Sequence, residues 1–412
     1  MSTPVVTPSE EDLTAAILAI KAAHPDHGIK KVLADVTSSN PAWTVSEKRV
    51  KKLMQARGLV QTSHLVRSGV EDDPSVPVSS LDTGLDVKKF SSAIEARMID
   101  RITGKGLFAT RDIKKDEIIF EETPLAFFAG WSRHEDALSG LACALCTKPF
   151  NTGRVGSSLM VRCPHCDIPY CTRVCRQTAY DTFHRLECTH LNPKMRDFLN
   201  LCREQDWNAA VGVERCWAHL LLANEREELE AVRVQYEAFA TVSQAERQAK
   251  ETAWIFMEHT TRELWARTLN LLSAALNPPP AKCGLKKPLP TDLISLLFTE
   301  SSFLDWLGRW NINNQDGGLY RLQSHINHSC SPCVSIDHLV MRSKYKLTVR
   351  AIGGIKKGEQ LYETYVNPMW NKETRKTYLS TNYMFECKCE RCEKDEELSE
   401  ESRKGLRLLD EK

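Results

Sequence analysis

The sequence predicts an α+β protein whose short strands lie in two separated parts of the chain. Strand-like segments begin near Ile94 and return at 334–365, where KYKLTVRAI alternates apolar and polar side chains. Between them lie a cysteine-dense block at 143–188 and a long helical pattern at 195–310. We therefore predict a strand-containing unit that is interrupted by a metal-binding segment and a helical insertion.

The composition is that of an ordinary globular protein. In 412 residues, 55 Lys and Arg nearly balance 54 Asp and Glu, so no overall charge attracts nucleic acid. No apolar run approaches the roughly 20 residues that span a bilayer, and the N-terminal MSTPVVTPSEED has no feature of a secretory signal. We expect no membrane contact and a reducing compartment, in which the fifteen cysteines are metal ligands or buried thiols.

Residues 1–60 are predicted to form a helical module. Its first helix begins after a capping pair, Ser9 and Asp12, and two further short helices are expected before Gly58. The third helix has a basic face, so the module is either a helix-turn-helix that binds nucleic acid or a docking domain with a solvated face. The Pro- and Ser-containing residues 61–93 are predicted to be a linker.

Eight potential metal ligands follow one another as four close pairs in the cysteine-rich segment, residues 143–188. The pairs are Cys143 and Cys146, Cys163 and Cys166, Cys171 and Cys175, and His184 and Cys188. Paired thiolates on a short turn suit tetrahedral zinc, with Zn–S of about 2.3 Å, and so short a segment needs a metal in order to fold. A redox pair would not require eight regularly spaced ligands. We therefore predict two zinc ions here, although His165 and His190 lie close enough in sequence to compete with His184.

Three other segments contain residues suited to chemistry. The first is the glycine turn, TGKGLF at 103–108, a pattern that is also common in purely structural turns. The second is Asn327-His328-Ser329-Cys330. The third is GEQLYETY at 358–365, followed by FECKCERC at 385–392.

In this order the motifs resemble those of the SET lysine methyltransferases, and the cysteine-rich segment resembles a MYND finger. In detail the chain is similar to the fungal histone-lysine methyltransferases of the Set-five type. The resemblance implies a SET β-fold of short strands interrupted by a MYND-type zinc finger and a helical insertion, with a cysteine-rich post-SET tail. It divides the rest of the chain into 94–142 (first part of SET), 143–188 (finger), 189–314 (helical insertion), 315–368 (second part of SET), 369–395 (post-SET) and a charged tail, 396–412.

The resemblance also implies which residues form the active site. Contacts with S-adenosylmethionine are expected from Gly104, Lys105, Gly106, Leu107, Tyr320, Asn327, His328, Tyr365 and Phe385. The hydroxyl of Tyr365 is expected at the methyl-transfer point. Tyr362 either lines the lysine channel or packs within a strand.

By the same resemblance, the ligand pairs of the finger interleave. One zinc is expected at Cys143, Cys146, Cys171 and Cys175, and the other at Cys163, Cys166, His184 and Cys188. A third zinc is expected at Cys330, Cys387, Cys389 and Cys392. The family motif has Asn where this chain has Cys333, so Cys333 is an alternative to Cys330.

These residue types suit methyl transfer to lysine. The cofactor supplies the reactive methyl group, so the protein need only position the two reactants. The free amine of lysine has a pKa of about 10.4, and an apolar channel beside a sulfonium disfavours the ammonium form. Tyr365 can then orient the amine, and no acid–base triad is required.

The resulting hypothesis is a monomeric, S-adenosylmethionine-dependent lysine methyltransferase that binds three zinc ions and acts on histone tails. We expect it in the nucleus and on chromatin, and also in the cytoplasm. The alternative is a non-catalytic adaptor that binds partner peptides through the MYND finger. Nucleic-acid binding is a third hypothesis, which the near-zero net charge disfavours.

Overall fold

A computed structural model describes residues 6–24, 29–56, 75–150, 160–249, 261–278, 283–338 and 345–394. The chain divides into two compact units, Met1–Gly69 and Val70–Lys412. The predicted charged tail at 396–412 lies outside the described residues. Within the described ranges, no helix combines the length and apolar character needed to cross a membrane.

The first unit contains three helices, as predicted: α1 (Glu10–Ala23), α2 (Ile29–Ser39) and α3 (Glu47–Ala56). Ser9 caps α1, because its hydroxyl accepts a hydrogen bond of 3.1 Å from the amide of Asp12. One face of each helix is apolar, and the three faces meet in a small core formed by Leu13, Ile17, Val32, Val36, Val50, Leu53 and Met54.

The second unit contains eleven strands among its described residues. They are β1 (Ile94–Asp100), β2 (Gly104–Ala109), β3 (Ile118–Glu122), β4 (Ala126–Phe127), β5 (Val161–Arg162), β6 (Pro169–Tyr170), β7 (Gly318–Leu319), β8 (Asn327–His328), β9 (Val334–Asp337), β10 (Leu347–Ala351) and β11 (Tyr362–Glu363). They pair as several small sheets, β1–β2, β3–β10–β9, β4–β7, β5–β6 and the parallel pair β11–β8. The pairs β3–β10 and β4–β7 therefore join the two parts of the chain that the cysteine-rich segment and the helices separate.

The helices of this unit lie mostly between β6 and β7. They are α4 (Trp131–Leu138), α5 (Arg173–Ala179), α6 (Arg185–Glu187), α7 (Met195–Glu204), α8 (Asn208–Glu225), α9 (Leu229–Glu237), α10 (Gln244–Ala249), α11 (Arg262–Leu276), α12 (Thr291–Leu297), α13 (Glu300–Asn313), α14 (Lys372–Asn382) and α15 (Glu390–Lys394). Helix α8 is the centre of the helical core, since every residue from Ala210 to Ala223 is buried. A helix that is buried on all sides needs neighbours around it, and α7, α9, α11 and α13 all pack against α8.

A second core lies beneath the short strands. Leu107, Phe120, Ile326, Val349 and Leu361 are all almost completely buried in it. Because these residues come from β2, β3, β10 and the chain around β8 and β11, this core draws the three chemistry-bearing segments together.

Part of the predicted linker is packed against the rest of the unit. The amide of Val78 donates to the carbonyl of Thr241 at 3.0 Å, and the amide of Thr241 donates back at 2.9 Å. Asp82 is buried in an ion pair with Arg321. Residues of the predicted linker thus form hydrogen bonds with partners far away in the sequence.

Candidate active site and metal centres

Twelve side chains meet in three groups of four that can each hold a metal ion. The groups are Cys143, Cys146, Cys171 and Cys175; Cys163, Cys166, His184 and Cys188; and Cys330, Cys387, Cys389 and Cys392. In each group the four ligand atoms lie within 4.8 Å of one another. These groupings are the ones that the sequence resemblance implies.

The distances within the groups fit a tetrahedral metal. In the first group, Cys171 Sγ lies 3.6 Å from Cys146 Sγ and 3.4 Å from Cys175 Sγ. In the third group, Cys330 Sγ lies 3.8 Å from Cys387 Sγ and 3.5 Å from Cys392 Sγ. Tetrahedral zinc, with Zn–S of about 2.3 Å, separates its sulfur ligands by about 3.8 Å, whereas a disulfide requires about 2.05 Å. The donor set and its spacing therefore match zinc rather than disulfides.

The two CxxC turns of the cysteine-rich segment adopt the same conformation. Cys143 donates its amide to the carbonyl of Lys148 at 2.9 Å, and Cys163 donates its amide to the carbonyl of Ile168 at 3.0 Å. In each turn the fourth residue after the first cysteine has a positive φ, 58° at Thr147 and 62° at Asp167. This conformation is unfavourable for a β-branched threonine, so the surrounding contacts must maintain it.

His184 is the histidine that joins the second group. Its Nε2 lies 3.4 Å from Cys166 Sγ, and its ring packs edge-on against Tyr170. His165 and His190 are not part of the group. The contact between Cys166 and Cys188 lowers the pKa of the Cys188 thiol and raises that of the Cys166 thiol, because the two sulfurs share one hydrogen bond.

Cys330 rather than Cys333 lies in the third group. Cys333 instead accepts a hydrogen bond of 3.2 Å from the amide of Tyr362 and packs against the strand core. The geometry therefore favours Cys330 over Cys333 as a ligand of the third group.

The second and third chemistry-bearing segments pair as parallel strands. Tyr362 is opposite Asn327 and Glu363 is opposite His328 in the β11–β8 pair. The first segment joins them through a side chain, since Asn327 Nδ2 donates to the carbonyl of Lys105 at 2.8 Å. Residues more than two hundred positions apart in the sequence therefore form one site.

Side chains of this chain occupy the space beside both glycines of the glycine turn. Gly104 has φ of +73°, and a Cβ added to it would collide with Ser79 Oγ. A Cβ added to Gly106 would lie 2.8 Å from Ile99 Cδ1. Ser79 and Ile99 therefore lie close to these glycines, and the predicted cofactor contacts of the turn stay a prediction.

Tyr365 is fixed at both its backbone and its hydroxyl. Its amide donates to His328 Nδ1 at 3.0 Å, and its hydroxyl donates to the carbonyl of Ile326 at 2.7 Å. Burial, with the nearby Glu363 and Tyr383, raises the pKa of Tyr365 well above its ordinary value. The phenol therefore stays protonated and cannot act as a base at neutral pH.

A row of four rings lies beside this hydroxyl. Tyr383 stacks on Tyr365 with ring centres 4.7 Å apart, Tyr365 lies 5.4 Å from His328, and His328 lies 6.0 Å from Phe385. Tyr365, Tyr383 and Phe385 are partly exposed, so the row borders an open face. In contrast, the hydroxyl of Tyr362 donates to Gln360 Oε1 at 2.8 Å.

Two of the predicted site residues, Tyr320 and Leu107, are completely buried. The side chain of Tyr320 is buried in the strand core, and its hydroxyl donates to the carbonyl of Tyr345 at 3.3 Å. The remaining predicted residue of the glycine turn, Leu107, is also completely buried in that core.

Sequence analysis missed two buried carboxyl groups beneath the site. Glu122 accepts hydrogen bonds from the amides of Leu322 and Gln323, and Glu363 accepts one from Gln323 Nε2 at 2.5 Å. Burial raises the pKa of Glu122 to about 7 and that of Glu363 to about 8. A glutamate in a short strand gives no sequence signal that it faces the core.

Two arginines that surround the third group were also missed. Arg375 Nε donates to Cys330 Sγ at 3.2 Å, and Arg391 Nη1 donates to the carbonyl of Cys330 at 3.0 Å. Both side chains are buried. Such donors stabilise a thiolate and orient it toward a metal.

The family model of the SET domain matches residues 104–366. The chain therefore belongs to the SET domain family, and it is a protein-lysine methyltransferase.

Among its curated relatives are two fungal proteins named histone-lysine N-methyltransferase SET5. The one from Yarrowia lipolytica is 30% identical over 98% of this chain and 85% of its own length, and the one from Scheffersomyces stipitis is 30% identical over 95% and 82%. A solved SET domain of LSMT bound to lysine and AdoHcy matches 74% of this chain and 56% of its own, at 13% identity and a TM-score of 0.35, which is too low to compare the two folds in detail.

Proposed function

We propose that the chain transfers a methyl group from S-adenosylmethionine to lysine side chains of histone tails, and that it acts on chromatin in the nucleus. The main support for this proposal is the hydrogen bond from the Tyr365 hydroxyl to the carbonyl of Ile326. The next residue, Asn327, is hydrogen-bonded to the glycine turn. The curated relatives that span most of this chain are named as histone-lysine methyltransferases, which supports the substrate class.

The residues around Tyr365 fit a molecule with a flat aromatic base. The row of rings ends at Phe385, which is partly exposed and free to stack on an adenine. Asn327 precedes His328 in the chain, is partly exposed, and donates a hydrogen bond to the Lys105 carbonyl. We propose that Asn327, His328, Phe385 and the backbone of residues 104–107 hold the cofactor.

Bound S-adenosylmethionine supplies a methyl group on a positively charged sulfur, and the C–S electron pair stays with sulfur as the new C–N bond forms. The lysine amine must be neutral before it attacks. Tyr365 cannot accept its proton, so the proton leaves to solvent. Because the Tyr365 hydroxyl already donates to Ile326, its oxygen lone pairs would be available to accept a hydrogen bond from an N–H of the bound lysine amine. This bond points the amine lone pair toward the methyl carbon, which is catalysis by orientation.

We also propose that the three ligand groups hold zinc. The first two groups would form a MYND-type finger, and the third would tie the post-SET cysteines to Cys330, two residues after His328. The donor sets of thiols and one imidazole, at the observed separations, support zinc. Peptide binding by the finger and nucleic-acid binding by the first unit remain predictions from sequence.

The test is incubation of the full chain with S-adenosylmethionine labelled in its methyl group and with core histones or nucleosomes. We expect label on histone lysines, located by mass spectrometry, and none with Tyr365→Phe. Transfer to no histone, from protein that holds its metals and binds S-adenosylhomocysteine, would contradict the histone substrate and leave the cofactor assignment intact.

A further inference from the structure

The leading segment, residues 75–82, packs beside the proposed cofactor site. It lies outside the matched SET region, which begins at Gly104. Val78 and Thr241 exchange two backbone hydrogen bonds, and the amide of Ser80 points to the carbonyl of Ala238 at 3.4 Å. This segment is therefore attached to the chain between α9 and α10.

The leading segment also contacts the glycine turn directly. Ser79 Oγ occupies the space where any side chain at position 104 would project. Ser79 is therefore packed directly against the glycine turn.

Asp82 joins this segment to the second part of the site. Its side chain is 1% exposed, and it accepts a hydrogen bond of 2.6 Å from Arg321 Nε. The carbonyl of Arg321 in turn accepts from Ser324 Oγ and lies 2.9 Å from His325 Nδ1. This turn leads directly into Ile326 and Asn327, which contact Tyr365 and the glycine turn.

Lys105 places a buried amino group near the same carboxylate. This group donates to the carbonyl of Ala238 at 2.7 Å, and the charges of Asp82 and Glu122 act on it. Burial nevertheless lowers its pKa to about 7. Lys105 and Arg321 therefore lie near the same carboxylate, because Asp82 is the direct partner of Arg321 and an electrostatic partner of Lys105.

We propose that Asp82 is a positioning residue for cofactor binding, which clamps the glycine turn and the Ile326–Asn327 segment together through Arg321 and Ser79. The inference rests on the proposed use of S-adenosylmethionine. The Arg321 side chain is only 22% exposed, and a largely buried guanidinium that loses its carboxylate partner is unfavourable, so loss of the charge on Asp82 would draw Arg321 toward water. Both cofactor-contacting segments would then lose their common support.

The main experiment is calorimetric titration of the full chain with S-adenosylhomocysteine. Asp82→Asn keeps the shape of the side chain and removes its charge, and we expect a Kd about tenfold or more higher, since small misplacements of binding groups have effects of this order. The double variant Asp82→Asn with Arg321→Gln removes the unpaired cation and should recover most of the affinity. Asp86→Asn is the matched control, because Asp86 is exposed and only caps Val87–Lys89.

The outcomes separate this inference from the proposed function. Wild-type protein that does not bind S-adenosylhomocysteine would overturn the cofactor assignment itself. Wild-type binding with unchanged affinity in Asp82→Asn, or a double variant no better than the single one, would overturn the role of Asp82.

Amide hydrogen exchange tests the same inference in the wild-type protein, so its outcome does not depend on whether a variant folds. S-adenosylhomocysteine should slow exchange of the amides of Val78, Ser80 and Thr241 by stabilising the glycine turn beneath them. Unchanged exchange in the leading segment on saturation would show that it is not coupled to the cofactor site.

Discussion

The imidazole of His328 links Tyr365 to the third group of cysteines. Its Nδ1 lies 3.0 Å from the donating amide of Tyr365, so Nδ1 is the unprotonated nitrogen and Nε2 bears the hydrogen. Nε2 lies 3.4 Å from Cys330 Sγ and can donate to it. The position of the tyrosine backbone therefore depends on a side chain that is itself held by a proposed metal ligand.

The two nitrogens of His328 can be tested separately. His328→Asn places an oxygen near the position of Nδ1 and should keep the bond from the Tyr365 amide. His328→Gln reaches the position of Nε2 and should keep only the contact with Cys330. We expect steady-state methyl transfer to fall less in His328→Asn than in His328→Gln, and the reverse order would mean that the sulfur contact is the more important one.

The third metal is tested by a pair of neighbouring cysteines. Cys330 lies in the third group and Cys333 does not. Elemental analysis should find three zinc ions per chain in the wild type and in Cys333→Ser, and two in Cys330→Ser. Loss of zinc from Cys333→Ser alone would show that the ligand is Cys333.

A buried ion pair attaches the cysteine-rich segment to the rest of the second unit. Arg215 on α8 makes two hydrogen bonds, of 2.8 and 2.9 Å, to Glu187, and a third of 2.6 Å to the carbonyl of Phe127 in β4. Arg215→Met leaves the carboxylate of Glu187 buried without its partner, which typically costs about 3–5 kcal/mol. Calorimetry should show a clearly lower Tm.

The matched control for Arg215 is Arg203→Met. Arg203 pairs with Glu135 at the surface, where both side chains are about half exposed, and such pairs contribute roughly 0–1 kcal/mol. Equal shifts in Tm for the two variants would show that the buried pair of Arg215 and Glu187 contributes no more to stability than the exposed pair.

The motifs of the site were predictable because each is local in sequence. CxxC turns place two sulfurs on one side of the chain whatever surrounds them, and the interleaved grouping followed from the family resemblance. The helices of the first unit were predictable from the cap at Ser9 and from apolar periodicity. Local patterns could not show whether Cys330 or Cys333 joins the third group. That distinction depends on Tyr362, a residue distant in sequence whose amide donates a hydrogen bond to Cys333.

The contacts that support the site were not predictable from local patterns. Asp82 was placed in a linker because its neighbours are polar, and its partner Arg321 lies 239 residues further along the chain. Likewise Glu122 and Arg375 resemble surface residues in sequence, and only the folded chain surrounds them with partners. Burial of a charge depends on distant elements, so one sequence does not reveal it.

Stability at acidic pH should depend on His219. This side chain is buried between α8 and α9, with Nδ1 3.0 Å from the hydroxyl of Tyr236, and burial lowers its pKa from 6.5 to about 4. Between these values the unfolded chain binds a proton that the folded chain does not, so the free energy of unfolding falls as the pH falls from 6.5 to 4. The full effect is about 3 kcal/mol. Urea unfolding of His219→Gln should show a shallower dependence on pH than the wild type, and parallel curves would contradict the assignment.

The most direct test of the mechanism is Tyr365→Phe. The change removes one hydroxyl and its bond to the carbonyl of Ile326, while the ring can still stack on Tyr383. S-adenosylhomocysteine affinity should remain close to that of the wild type, but single-turnover methyl transfer should fall on the order of 10²-fold or more, because the amine loses the group that orients it. In both proteins the rate should rise with pH as the bound lysine loses its proton, since Tyr365 is not the base.

Tyr362→Phe is the matched control, because the Tyr362 hydroxyl bonds to Gln360 instead, and this variant should keep most of the activity. If Tyr362→Phe is the inactive variant and Tyr365→Phe retains activity, the reacting amine must lie on the Gln360 side of β11.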